Sequence, residues 1–384
     1  MVLLKPTSFL PLLVLPLPLL SNAAPTCEDM IITVHAETKV QDISLPPLNL
    51  KNINSITGLL GSVLGTAGRL FPLIPASGTY DISARYCEPE VKNENSKTVQ
   101  VLAHGAAYTK LYWTGLDLPE GEVEKYSWVH YASKQGYATL SLDRLGTGKS
   151  THADPILEVQ VNLDAETIHE IIRKLRAGEI KGKRFEKVVF TGHSLGSVIG
   201  YILSQRHPKD IDALVLTGWS TALADNVPSI LTCNFLPAVA VDMDRWSGRQ
   251  LGYVTPSNKE NFENIFYGPK GTFDRRAQDR AWATRDIVSV GELLTIFTGT
   301  DAASSSNFDG PVHVLMGEFD AVMCDNGGKC KDDPNRVPAQ NRQLFPNSQN
   351  YTYHITPGTG HNLNFHYSAR DSYKVAHEFL RYNL

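Results

Sequence analysis

From about residue 98 the apolar and polar positions follow two alternating rhythms. The short apolar runs "KTVQVLAHG", "YATLSLDRLG", "KVVFTGHSLG" and "IDALVLTGW" read as buried strands, each followed by a turn. Between them the period lengthens. "EGEVEKYSWVHYASKQG" carries Val123, Trp128, Tyr131 and Ala132 among charges and stops at Gly136, a helix-ending signal. "NLDAETIHEIIRKLRAG" puts Leu163, Ile168, Ile171, Ile172 and Leu175 on one side of a helix, and "SVIGYILSQRH" reads as another. Two more strands, "GPVHVLMGEFD" and "QNYTYHITPGTGH", precede a final helix, "DSYKVAHEFLRYNL". This alternation predicts an α/β fold, a mostly parallel sheet with helices on both faces. Ligand sites in such sheets gather at the carboxyl ends of the strands.

Two segments interrupt the rhythm. Residues 221–308 lie between two sheet strands and show no clear strand of their own. Their "KENFENIFYG" and "AQDRAWATRDIVSVGELLTIF" read as helices, so the segment is predicted to be an inserted helical cap over the strand ends. "INSITGLLGSVLGTAGRLF" has apolar residues at helical spacing, but Gly58, Gly61, Gly65 and Gly68 recur among them. Each glycine costs about 1 kcal/mol in a helix interior. The stretch reads as a helix or loop packed on the domain, or as a flap touching lipid or substrate. The expected division is a leader over 1–23, N-terminal strands with a long insertion over 24–97, core over 98–220, cap over 221–308 and core again over 309–384.

The leader rests on "MVLLKPTSFLPLLVLPLPLLSNAAPTC", with Lys5, an apolar run and small residues near Ala24. That layout is a secretory signal peptide, and its prolines argue against a membrane anchor. A net charge of -4 gives no pull toward nucleic acid. In an oxidising compartment the five cysteines read as two disulfides, Cys324 with Cys330 and Cys27 with Cys87, leaving Cys233 as a buried apolar residue. Asn350, in "NYT", is the glycosylation sequon.

The chemistry concentrates in "TGHSLGS". Gly192-His193-Ser194-Leu195-Gly196 fits G-x-S-x-G, a sharp strand-to-helix turn that lifts a serine hydroxyl clear of the sheet. Serine is a weak nucleophile and needs a base. His361, in "PGTGHNLNFH" after the last strand, is the preferred candidate, with His366 and His354 as competitors. Asp320, in "VLMGEFDAVMC", is the preferred acid to orient the base, with Glu318 and Asp325 as alternatives. "LAHGAAY" offers the Ala106 N–H as one oxyanion donor, and the Leu195 N–H is the second.

"HGAAY", "LDRLGTGKS", "GHSLGS", "GEFD" and "PGTGHNLNFH", in that order, resemble the α/β-hydrolase superfamily, in particular its secreted fungal members with a helical cap. "SGTYDISARYCEPE" also looks like the strand preceding the catalytic domain in those relatives. "LDRLGTGKS" itself is not a phosphate-binding loop, because Asp143 stands where the first glycine is required. It matches the D-R-x-G-x-G-x-S turn of many α/β-hydrolases, in which Asp143 and Arg144 are expected to brace the turn near the serine. The expectation is a serine hydrolase acting on an apolar small-molecule ester or lactone through an acyl-serine. It needs no metal or organic cofactor and no nucleic acid, and has no stable membrane insertion. A peptidase or secondary-metabolite tailoring enzyme on the same scaffold, or a non-catalytic binding protein, are the alternatives.

Overall fold

A computed structural model describes residues 25–43, 71–220, 232–296, 307–324, 330 and 336–384. The expected leader and the glycine-rich stretch up to residue 70 lie outside them.

Eight strands form one sheet in the order β1-β2-β4-β3-β5-β6-β10-β11. The strands are β1 (Cys27–Gln41), β2 (Leu73–Cys87), β3 (Thr98–Ala103), β4 (Ala138–Leu142), β5 (Lys187–His193), β6 (Ala213–Thr217), β10 (Val312–Gly317) and β11 (Tyr351–Thr356). From β4 to β11 every neighbouring pair is parallel. β1 and β2 add an antiparallel hairpin at the β4 edge. β3, β4, β5, β6 and β10 are buried almost throughout, as continuous apolar runs covered on both faces must be.

The helices follow the predicted crossovers, with one exception. "EGEVEKYSWVHYASKQG" forms two short helices, α1 (Val123–Tyr126) and α2 (Trp128–Lys134). Ser127 is extended between them (φ -99°, ψ 111°), and its side chain caps α2 by accepting from the His130 N–H. α3 (Val161–Ala177) buries the predicted apolar face and ends at Gly178, whose φ of 79° suits a left-handed cap. α4 (Leu195–Arg206) follows β5, and α9 (Ala369–Asn383) closes the fold.

The insertion departs from the expectation of helices without strands. It contains α5 (Ala238–Val241), α6 (Lys259–Phe266), α7 (Arg275–Thr284) and α8 (Val290–Thr295). It also holds a three-stranded antiparallel sheet of β7 (Phe235–Pro237), β8 (Tyr253–Pro256) and β9 (Val288–Ser289). These strands are two to four residues long, too short for a period of two to show in the sequence.

The chain leaves β3 toward β4 on one side, then returns to place β5 on the other. That reversal falls at the carboxyl ends of β3 and β5, where "HGAAY" and "GHSLGS" begin and where ligand sites gather in such sheets. Both expected disulfides form, Cys27–Cys87 and Cys324–Cys330. The first joins directly opposed residues at one end of the β1–β2 hairpin. Cys233 is buried and free, and burial pushes its thiol far up, as a buried apolar residue requires. Among the described residues no helix is long and apolar enough to cross a membrane.

Candidate active site

Ser194 sits between β5 and α4 with φ 54° and ψ -117°, a conformation costing about 1–3 kcal/mol for a residue with a side chain. The glycines around it let the turn close tightly. A Cβ on Gly192 would lie 2.5 Å from the backbone of Gly196 and Ser197, and one on Gly196 would lie 2.1 Å from the Ala103 carbonyl oxygen. The Ser194 N–H donates to the Thr217 carbonyl (2.9 Å), which also accepts from the Ser197 hydroxyl (2.9 Å). β6 therefore holds the turn from one side.

His361 and Asp320 meet, although 41 positions separate them: His361 Nδ1 lies 2.8 Å from Asp320 Oδ2. Both side chains are buried. The other carboxylate oxygen of Asp320 accepts from the N–H groups of Val322 (2.9 Å) and Met323 (2.8 Å). With Nδ1–H committed to the carboxylate, the Nε2 of His361 is left with its lone pair. It is buried and finds no hydrogen-bond partner among the described residues. His361 also approaches the serine's strand, its ring 4.9 Å from that of His193.

The competing candidates have other work. His366 Nε2 accepts from the N–H groups of Gly268 (2.9 Å) and Gly360 (3.0 Å), so its Nδ1–H donates to the Asn362 carbonyl (2.8 Å). Burial holds its pKa down to about 4, and it staples the insertion to the His361 loop as a neutral ring. His354 lies within β11, half-buried. Glu318, the alternative acid, is half-buried and bonded elsewhere. It accepts from the Gly358 N–H (3.0 Å), while the Phe319 N–H donates to the Thr359 carbonyl (2.8 Å). Backbone bonds thus lace the acid loop to the histidine loop. Asp325 lies outside the described residues, and the disulfide at Cys324 begins four residues after Asp320.

The loop after β3 is held from behind. A Cβ on Gly105 would come within 2.9 Å of Ser194 Cβ, so the loop backbone lies directly against the serine. The Gly105 carbonyl accepts from His104 Nδ1 (2.8 Å) and Arg144 Nη2 (3.5 Å). A trans peptide points its N–H opposite to its C=O. Fixing that carbonyl therefore fixes the Ala106 N–H on the side away from Arg144. Burial, reinforced by Arg144, holds His104 well below the ordinary histidine range. Its Nε2 accordingly accepts from the Arg144 N–H (3.3 Å), while the Thr147 hydroxyl donates to the Arg144 carbonyl (2.9 Å). Leu195 opens α4, so its N–H has no intrahelical acceptor.

Sequence reasoning had expected only a brace from Asp143 and Arg144. Arg144 is wholly buried and ion-pairs with Glu292 of α8 and, at 3.6 Å, with Asp164 of α3. Its Nε also donates to the His104 carbonyl (3.0 Å). Asp143 ion-pairs with buried Lys110 (2.8 Å) and accepts from the Lys110 N–H (2.8 Å). Glu292 carried no signal, because its partner lies 148 positions away (292 − 144). The insertion reaches the site as well. The Phe266 ring lies 5.7 Å from that of His361, and the Asn362 N–H donates to the Phe266 carbonyl (2.8 Å). Tyr108, Phe262, Tyr267 and Phe365 form an aromatic cluster beside it. Asn350 is half-buried, with its amide donating to Asn383 (3.0 Å).

The fold and this arrangement define an α/β hydrolase. Residues 100–372 match the alpha/beta hydrolase family, and the chain belongs to it. It is 25% identical over 224 residues to lysophospholipase L2 of Escherichia coli K12, an alignment covering 53% of this chain and 62% of that protein. Among solved structures it resembles a bromoperoxidase from Bacillus anthracis (17% identity, TM-score 0.51, covering 78% of this chain and 96% of that one). It also resembles a thermophilic esterase from Thermogutta terrifontis (14% identity, TM-score 0.50, covering 79% and 94%). At those identities the two structures speak for the fold alone.

Proposed function

We propose that this protein is a secreted serine hydrolase that cleaves a carboxylic ester or lactone through an acyl-serine intermediate. The observation that carries the reading is the buried His361–Asp320 pair. His361 Nε2 is without a partner among the described residues, and its ring lies 4.9 Å from that of His193, next in the chain to a serine in a strained turn. Ser194 is the nucleophile. His361 Nε2 takes its proton as the hydroxyl oxygen attacks the carbonyl carbon, and Asp320 stabilises the imidazolium and holds its tautomer. The Ala106 and Leu195 N–H groups receive the oxyanion, in a hole where one donor is worth about 10²–10³ in rate. His361 then gives its proton to the leaving alcohol oxygen. Water repeats the sequence, with His361 as base, and releases the acid.

The aromatic cluster of Tyr108, Phe262, Phe266 and Tyr267 favours an apolar acyl or alcohol group. The partial match to a protein named lysophospholipase agrees with an ester substrate. Secretion is supported by the two disulfides.

The test pairs fluorophosphonate labelling with p-nitrophenyl ester turnover in wild type and Ser194→Ala. Labelling and turnover should both vanish in the variant, turnover falling by roughly 10⁶. Labelling without turnover would keep the nucleophile and remove simple esters as substrates. Folded wild type that resists labelling would sink the serine mechanism and favour a binding protein.

A further inference from the structure

On the far side of α4 from Ser194, two short sequence patterns face each other. α3 carries Glu166 and His169 three residues apart, so both lie on one helical face. His207, which caps the end of α4, and Asp210 have the same spacing. The two pairs interlock. His169 Nδ1 lies 2.5 Å from Asp210 Oδ2, and His207 Nε2 lies 2.9 Å from Glu166 Oε2. The two imidazoles are stacked, with centroids 3.6 Å apart and planes 12° from parallel. One ligand atom each from His169, His207 and Asp210 lie within 4.8 Å of one another, and all three residues are half-buried.

We propose that His169, His207 and Asp210 bind one divalent transition-metal ion of the zinc type. Two imidazoles and one carboxylate are a nitrogen-rich donor set that suits zinc, whereas calcium and magnesium take oxygen ligands. Tetrahedral zinc with Zn–N bonds of about 2.0–2.1 Å needs donors roughly 3.3 Å apart. The donors lie within 4.8 Å of one another, so binding requires the three side chains to rotate toward the ion. The ion replaces the proton between His169 and Asp210, and that proton leaves to solvent. Water fills the fourth position.

The surroundings hold the ligands in place. The Asp210 carbonyl accepts from Arg176 Nε (3.1 Å) and Nη2 (2.7 Å), and the Asp210 N–H donates to the His207 carbonyl (3.0 Å). Glu166 also pairs with Arg206 (3.2 Å), so it orients His207 rather than serving as a fourth ligand. Nearby Arg173 pairs with Glu170, and Arg176 with Asp212, so both arginines have partners of their own. The carboxyl-terminal end of α4, with its partial negative charge, favours a cation there. The twelve residues of α4 span about 18 Å. The ion therefore clamps α3 to the far end of the serine's helix and takes no part in the reaction.

The experiment is calorimetric titration of tag-free, chelator-stripped protein with zinc chloride at neutral pH. It is run in wild type, His169→Ala, His207→Ala and, because His361 can itself take zinc, in a His361→Ala background. Circular dichroism confirms that each variant is folded. One ion per chain should bind with micromolar or tighter affinity and raise the melting temperature. Loss of either His169 or His207 should weaken binding at least tenfold, and His361→Ala should leave it in place. Should His207→Ala not fold, His207→Gln and His169→Ala carry the comparison. Absence of saturable binding in wild type, equal affinity in the variants, or tighter binding of calcium than zinc would each overturn the proposal.

Discussion

Asp320 and Asp164 are both closed off from solvent, yet their surroundings differ. Asp320 accepts from two N–H groups of its own turn and from one imidazole. Those backbone donors cannot leave, so the carboxylate stays put and fixes the His361 ring, which lies 4.9 Å from that of His193. Asp164 accepts from the Leu145 N–H (3.1 Å) and must share the Arg144 guanidinium with Glu292. One cation between two buried carboxylates leaves one charge unmatched. Burial accordingly pushes the Asp164 carboxyl up to about 7, although Arg144 pulls it down. The first arrangement leaves one imidazole nitrogen, His361 Nε2, without a partner among the described residues. The second places its charge behind the loop after β3, where Arg144 donates to the His104 and Gly105 carbonyls.

The strongest way to break this contrast is Asp320→Asn. The amide oxygen can keep the Val322 and Met323 bonds while its NH₂ forces His361 into the wrong tautomer. We expect kcat to fall by about 10⁴ with the fold intact, as seen by circular dichroism. A fall of less than tenfold would return Glu318 and Asp325 to consideration. Arg144→Met leaves Asp164 and Glu292 buried without their cation, and should cost about 3–5 kcal/mol in urea denaturation. A change within 0.5 kcal/mol, to order of magnitude, would mean that the cluster carries no such burden.

His366→Leu removes the acceptor shared by the Gly268 and Gly360 N–H groups. The expected loss is about 1–3 kcal/mol for an unsatisfied buried donor, with catalysis weakened less than by Asp320→Asn. The last effect is on a slope. A carboxyl that holds its proton more tightly folded than unfolded adds stability fully present below about pH 4. That contribution is lost as pH rises through about 7 for Asp164. Asp164→Asn should therefore flatten the fall of stability between those values by at most about 1.4 kcal/mol per pH unit, the limit for one proton. Denaturation at several pH values measures it.

Much of the site could be read from residue patterns because its demands are local. Gly192 and Gly196 are needed by neighbours within five residues, or by the adjacent strand, so G-x-S-x-G shows the turn directly. The insertion was less legible. Strands of two to four residues carry no period, and their pairing partners lie elsewhere in the segment. The split at Ser127 was also hidden, because a single capping serine barely disturbs the apolar spacing on either side.

The sequence by itself determined the alternation that builds the parallel sheet, the strained serine turn and the order of serine, acid and histidine. Apolar periodicity and the Gly192 contact act over a few residues, and Gly196 needs only the strand beside its own. Only the tertiary structure decided which histidine faces the acid, that His366 is a neutral staple, and that Arg144 joins Glu292 to the loop behind Ser194. Those roles depend on which buried polar groups find partners, and the partners come from elements far apart in the chain. A buried donor or acceptor must be matched wherever the fold brings one near, and that proximity is set by packing.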